Sequence, residues 1–229
     1  MHKIKKIIKK NKIIYDLFLK LNNVLLLPKK RKMSKFLLEN GELVSQKLDS
    51  IFDASPYTFF YASGSALGLY RDGKFINGDI DIDVGILMDE QFNWLEFEKF
   101  LVSNGLEKIK EFKTNNTITE QAYLLEGVNI DFFLYVNSNG KCQTQAYYRV
   151  PGVEYSSDKE FTSINLILPF ELAVAKLETA LGIKSLPEPI EPYLETLYTR
   201  DWRTPNPNWK DFDSPSFHID TQLFGHLDD

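Results

Sequence analysis

Asp79-Ile80-Asp81-Ile82-Asp83-Val84 alternates three carboxylates with three β-branched side chains. That period is the period of a β-strand, so the spacing predicts a strand with Ile80, Ile82 and Val84 toward a core and the three Asp side chains on the other face. Like charges so arranged repel at short range, and adjacent Asp residues depress β-propensity, so the local sequence opposes the strand unless something cationic compensates. A divalent metal holding phosphate is the expected cation; the competing reading is a solvated strand face.

At 229 residues with 43% hydrophobic and 14% aromatic content, the chain can bury a core as one mid-sized domain or two small ones. Its formal charge of -5 hides an asymmetry. Residues 1–35 carry 12 Lys and Arg against the single Asp16, giving +11, and the remainder holds 15 basic and 31 acidic residues, giving -16. An acidic body argues against a nucleic-acid groove, so no nucleic acid is expected as a partner, and the basic arm points at something anionic, a membrane surface or another protein. Between Ile4 and Leu25 the apolar residues fall near helical spacing with Lys between them. That pattern suits an amphipathic helix lying at a membrane interface through residues 1–32, and equally a basic helix packed on its own chain. No apolar run reaches the roughly 18 residues of a spanning helix and no small-residue cleavage site follows, so neither a span nor a secretory signal is expected. The lone Cys142 excludes an internal disulfide framework and a multi-Cys zinc site, and His2, His218 and His226 lack the spacing of a zinc hydrolase. The expected setting is cytoplasmic, peripheral at the inner face of a membrane, with residues 1–35 as basic arm and 36–229 as catalytic domain.

Lys29–Lys35, after Pro28, reads as a linker or helix boundary, followed by a helix from about Met33 to Phe52. A buried strand is expected over Tyr57–Ala62, then a turn at Gly64-Ser65, a short helix over Ala66–Tyr70 and turns at Asp72-Gly73 and Asn77-Gly78. Trp94–Asn104 suits a helix stopped by Gly105, and strands are expected near Leu106–Phe112, Ile118–Leu125, Val128–Val136 and Gln143–Val150. Pro169–Leu181 reads as a helix ended by Gly182, and Tyr193–Tyr198 as a short helical piece.

Two constellations carry chemistry. Gly64 lets backbone approach a phosphate closely, and Ser65 adds a hydroxyl at a helix start, although ordinary capping explains the pair as well. Asp81 and Asp83 follow as hard oxygen ligands on one strand face, matching Mg²⁺ chemistry that takes one or two carboxylates plus phosphate oxygens. Asp79 is a further ligand, a neighbour of the ligands or a turn residue. In Val128–Phe133, Asp131 points away from Ile130 and Phe132; an isolated acid there is costly unless paired or metal-bound. Beside the acidic strand it would complete a three-carboxylate site and accept the proton of an attacking hydroxyl. Arg71 and Lys74, between turn and strand, suit phosphate oxygens, and suit a surface loop almost as well.

Gly64-Ser65-Ala66-Leu67-Gly68-Leu69-Tyr70-Arg71, then Gly73-Lys74-Phe75-Ile76 and Asp79–Gly85, resembles the LicD/fukutin signature. There a Gly-x-Leu-Leu-Gly-x-x-Arg segment leads through Phe-Ile-Pro-Trp into Asp-x-Asp-x-Asp. Tyr193–Tyr198 with Asp201-Trp202-Arg203-Thr204-Pro205 is similar to the same family's closing segment. The resemblance implies a nucleotidyltransferase-like fold, so the expected class is α+β, a mixed sheet flanked by helices, to which the basic helix read from the N-terminal pattern is added. It also implies transfer of a phospho-alcohol, of the phosphocholine, glycerol phosphate or ribitol phosphate class, from a CDP-linked donor to a hydroxyl of a cell-surface or lipid-linked glycan. The family's turn falls on Gly64 and Ser65, its metal acids on Asp81 and Asp83 with Asp79 adjoining, and its later strand acid on Asp131. Asn77-Gly78 departs from the usual Pro-Trp, and Thr199-Arg200 stands where Gly usually follows the Tyr.

The resulting expectation is a Mg²⁺-dependent phosphotransferase, with Mn²⁺ as the alternative ion. Asp81, Asp83 and Asp131 would be catalytic, and Gly64, Ser65, Arg71 and Lys74 would hold phosphate. A nucleotidyltransferase moving NMP from an NTP and a catalytically inactive scaffold are the rival readings.

Overall fold

The computed structural model describes residues 12–150 and 152–228. The first part of the expected amphipathic pattern, to Asn11, lies outside the described residues, as do the side chains of residues 12–26.

Helix α1, Lys12–Asp53, runs unbroken through Pro28 and through Lys29–Lys35, where the sequence suggested a linker. A proline inside a helix costs about 3 kcal/mol, so the sequence reading had a physical basis. Beyond the proline, Ser34, Leu37, Gly41, Val44, Ser45 and Leu48 recur at helical spacing as one buried stripe. Ser34 Oγ accepts a hydrogen bond from the Gly78 amide at 2.9 Å, fixing α1 to the segment that enters the acidic strand.

Strand β1 (Thr58–Tyr61) leads into a short helix α2 (Ser63–Leu67) that continues as a π-helical turn over Gly68–Asp72. The chain returns as β2 (Asp81–Leu87), antiparallel to β1. After helix α3 (Trp94–Ser103) come β3 (Glu107–Thr114), β4 (Thr117–Leu125), β5 (Val128–Ser138) and β6 (Lys141–Tyr148). Strand β7 (Glu160–Leu168), a hairpin of β8 (Ala173–Thr179) and β9 (Gly182–Glu188), helix α4 (Ile190–Tyr198) and β10 (Phe217–Asp228) complete the fold.

The large sheet has the order β1-β2-β5-β4-β3-β10-β7-β6. The β2–β5 pair is parallel and the other pairs are antiparallel, so the sheet is mixed and the fold is α+β as expected. Val136–Ser138 of β5 also pairs with Lys141–Gln143 of β6, closing six strands into a ring to whose β5 the β1–β2 pair is attached. On one face, Phe59, Ile82, Val84, Ile130 and Phe132 are buried with Val44, Leu48, Phe97 and Leu101 of the covering helices. Phe97 meets Phe132 edge-on at 5.3 Å between centroids, a favoured aromatic geometry.

One expected element is wrong in kind. Pro169–Leu181 is not a helix: β8 lies there, paired along its whole length with β9. Its apolar residues Leu172, Val174, Ala175 and Leu177 satisfy a helical spacing, but the partner strand after Gly182 offers every β8 residue a pairing, and tertiary pairing overrides local propensity. The acidic strand is also shorter than expected. It starts at Asp81, and Asp79 and Ile80 belong to the preceding turn.

Gly85 lies opposite Phe60 in the β1–β2 pair, and a Cβ there would stand 2.2 Å from the Phe60 ring. Phe60 is fully buried and stacks edge-on against Tyr135, so it cannot retreat. Gly85→Ala is therefore expected to destabilise the protein by about 1–3 kcal/mol in urea unfolding. An unchanged midpoint would mean that this sheet corner is looser than the structure shows.

Candidate functional site

The parallel pairing of β2 with β5 sets Asp83 directly beside Asp131, with Asp81 beside Asn129. Side chains on a strand alternate, so Asp81, Asp83 and Asp131 share the sheet face opposite the fully buried Ile82, Val84, Ile130 and Phe132. A fourth acid joins them: Glu120 of β4 pairs with Phe133, two residues past Asp131 on the same face. Lys110 Nζ of β3 lies 3.9 Å from Glu120 Oε1.

The α2 turn closes over this floor. A Cβ on Gly64 would stand 2.8 Å from Asp79 Oδ2 and in ordinary contact, 3.8 Å, with Asp83 Oδ2, so glycine leaves the Asp79 carboxylate its place. Ser65 is buried, and its hydroxyl accepts from the Asp83 amide at 2.9 Å. The structure thus gives Ser65 the task of fixing the acidic strand to the turn, and its own O–H is not used by that contact. Ser63, at φ 44°, donates its amide to the Tyr193 hydroxyl of α4 at 2.9 Å, which ties the turn to the closing segment.

Arg71 is half engaged already. Its Nε and Nη2 fork onto Asp72 at 2.9 and 2.7 Å, and Nη1 donates to the Trp202 carbonyl at 3.1 Å. Its first task is joining the π-helical turn to the 199–210 loop. Lys74 is exposed, and both residues line the cleft above the acids.

That cleft has a volume of about 1420 Å³. Asp79, Asp81, Asp83, Asp131 and Glu120 lie along it, with Tyr198, Trp202 and Trp209 among its aromatic lining. Asp211, also a lining residue, accepts from the Tyr148 hydroxyl at 3.0 Å. Glu120, Lys110 and Asp211 were not singled out in the sequence. Glu120 and Lys110 stand in strands whose neighbours are also charged or polar, and Asp211 lies in an irregular stretch, so no local period marks them.

Burial and mutual repulsion raise the carboxylates together. Burial, the Asp211 charge and a smaller opposing pull from Arg71 leave Asp79 at about 6. Burial with Asp131 and Asp79 pushes Asp81 up to about 7. Burial with Asp131 carries Glu120 to about 8 against the pull of Lys110. Asp83 is raised by burial and by Asp81 and Asp131, and Asp131 by burial, opposed by Lys110.

Among the described residues no three His, Cys, Asp or Glu side chains converge as a ready-made metal cage. The donor set is nevertheless chemically suited to a hard cation that takes two carboxylates and fills its other positions with phosphate oxygen and water. Asp81 and Asp83 are the residues able to serve so, with Asp131 adjoining and Asp79 facing them across the turn.

Residues 57–171 match the family model described as LicD/FKTN/FKRP, nucleotidyltransferase domain. That span contains the α2 turn, β2, Glu120 and Asp131. No curated protein matches the chain.

Thr199 has φ 68° and ψ 177°, a region that β-branched residues scarcely occupy. Thr199→Gly is expected to raise stability by about 1 kcal/mol, the relieved strain exceeding the added freedom of the unfolded chain; a lower melting temperature would contradict it.

The raised carboxylates predict a pH profile as well. The folded protein keeps protons that the unfolded chain releases near pH 4, so stability falls as pH rises from there through about 6, 7 and 8, where Asp79, Asp81 and Glu120 ionise. In chelator-containing buffer the melting temperature should drop between pH 5 and 8, less steeply in Asp81→Asn. A melting temperature that climbs over this window would show that the acids do not crowd one another.

Proposed function

The chain belongs to the LicD/FKTN/FKRP nucleotidyltransferase-domain family, a transferase family acting on phospho-alcohols and sugar phosphates, and on that footing we propose that it moves a phospho-alcohol from a CDP-linked donor to a hydroxyl of a cell-surface glycan. The observation that carries this reading is the Asp83–Asp131 register, which gathers acids from two strands beneath the glycine turn in one cleft.

Asp81 and Asp83 would hold Mg²⁺, or Mn²⁺ with the same preference for hard oxygen, and the bound ion would offset charge on the donor pyrophosphate. A phosphate at the Gly64 turn would take the place that the Asp79 carboxylate holds beside it. Lys74, and Arg71 where its fork on Asp72 opens, supply positive charge to the phosphates. Asp131 would take the proton of the acceptor hydroxyl, its basicity favoured by burial and moderated by Lys110. Ser65 and Tyr193 act indirectly, holding β2 and the turn where these contacts are made. The reaction asks for little covalent chemistry from the protein, so positioning and charge carry most of the catalysis. The setting consistent with a CDP-linked donor and a cytoplasmic nucleotide pool is the cytoplasmic side of the membrane.

CMP release from a panel of CDP-alcohols, with and without Mg²⁺, tests this. Wild type is expected to release CMP only with the metal. Asp81→Asn and Asp83→Asn should lose more than the roughly 10–100-fold typical of residues one step removed from a metal. Pyrophosphate release from an NTP would support the rival nucleotidyltransferase reading. No release from either donor, with unchanged melting on adding Mg²⁺ and nucleotide, would favour the inactive scaffold.

A further inference from the structure

The basic segment of α1 stands at the mouth of the same cleft. The buried stripe of α1, read back from Leu48 through Val44, Gly41, Leu37 and Ser34, reaches Lys30 one turn earlier, and Lys30 lines the cleft. Lys29, Arg31 and Lys32 flank it, all exposed and without an ion-pair partner among the described residues. Lys35 pairs with Glu39 at 3.6 Å. Leu27 and Leu38 are 42% and 43% exposed beside these charges. The helix continues unbroken into the core, and Ser34 is bonded to the Gly78 amide, so whatever binds this segment is held rigidly against the cleft.

We propose that this segment docks on an anionic lipid bilayer and holds the cleft mouth toward the headgroups. The charge division supports a surface over any other anionic partner. The arm carries +11 while the rest of the chain carries -16, so an extended negative surface attracts the arm and repels the body's other faces. Exposed leucines among lysines suit the headgroup boundary and serve no purpose on a nucleic acid. No helix among the described residues is long and apolar enough to cross a membrane. The orientation rests on the transferase reading, since it is what brings a lipid-carried acceptor to the acids; the docking itself does not.

The full chain is sedimented with vesicles of phosphatidylcholine alone and of equimolar phosphatidylcholine and phosphatidylglycerol. Binding is expected only to the anionic vesicles, falling steeply with salt. Lys29→Gln/Arg31→Gln/Lys32→Gln should partition roughly 100-fold more weakly, at about fivefold per basic residue lost near the surface, with wild-type melting temperature and wild-type CMP release from soluble substrates. Equal binding to neutral vesicles, undiminished binding by the triple variant, or preference for an oligonucleotide duplex over the anionic vesicles would overturn the proposal. Salt-sensitive vesicle binding in a protein that releases no CMP would leave the docking standing and remove the transferase reading.

Discussion

Packing Asp83 of β2 against Asp131 of β5 in a parallel pair is the constraint on which the rest of the site depends. Repulsion between partly buried carboxylates is unfavourable in the folded chain alone, and the surrounding structure holds them there. The Ser65 hydroxyl fixes the Asp83 amide, the Tyr193 hydroxyl fixes the turn above, and the aromatic core of Phe59, Phe97 and Phe132 backs the two strands from the far face. Local cost sustained by global packing is typical of a site built for a ligand.

The closing segment matters more to this arrangement than its position far along the chain suggests. Tyr193 reaches the Ser63 amide, the Trp202 carbonyl receives Arg71, and Asp211 adds charge that raises Asp79, Asp81 and Asp83. The turn over 63–72 and the segment 193–202 are thus in direct contact. Thr199, strained at its positive φ, lies in this contact zone and lines the cleft.

The acidic face was legible in sequence because a period of two, written in Asp and Ile, has one structural meaning. Asp131 was legible for a related reason, as an acid inside an otherwise apolar strand. Glu120 was not, since its neighbours Thr119 and Gln121 are polar and nothing local separates it from a solvent-facing strand. For Arg71 the sequence shows the charge that suits a phosphate but not the contacts with Asp72 and the Trp202 carbonyl that engage part of its guanidinium. The β8–β9 hairpin and strands β7 and β10 depend on pairings between distant segments, and the apolar spacing of 172–177 fits a helix equally well. Helix α1 through Pro28 failed for the opposite reason: a strong local breaker was outweighed by the continuous stripe that follows it.

The proposed function requires that the acids of β2, with Asp131 beside them, form a cation site completed by the donor's pyrophosphate. Paramagnetic resonance of free Mn²⁺ during titration with protein and CDP measures this most directly. The account predicts that wild type with CDP removes about one Mn²⁺ per chain from the free signal, that wild type without nucleotide removes far less, and that Asp81→Asn/Asp83→Asn removes almost none. Equal depletion by wild type and the double variant, or none by either, would contradict it.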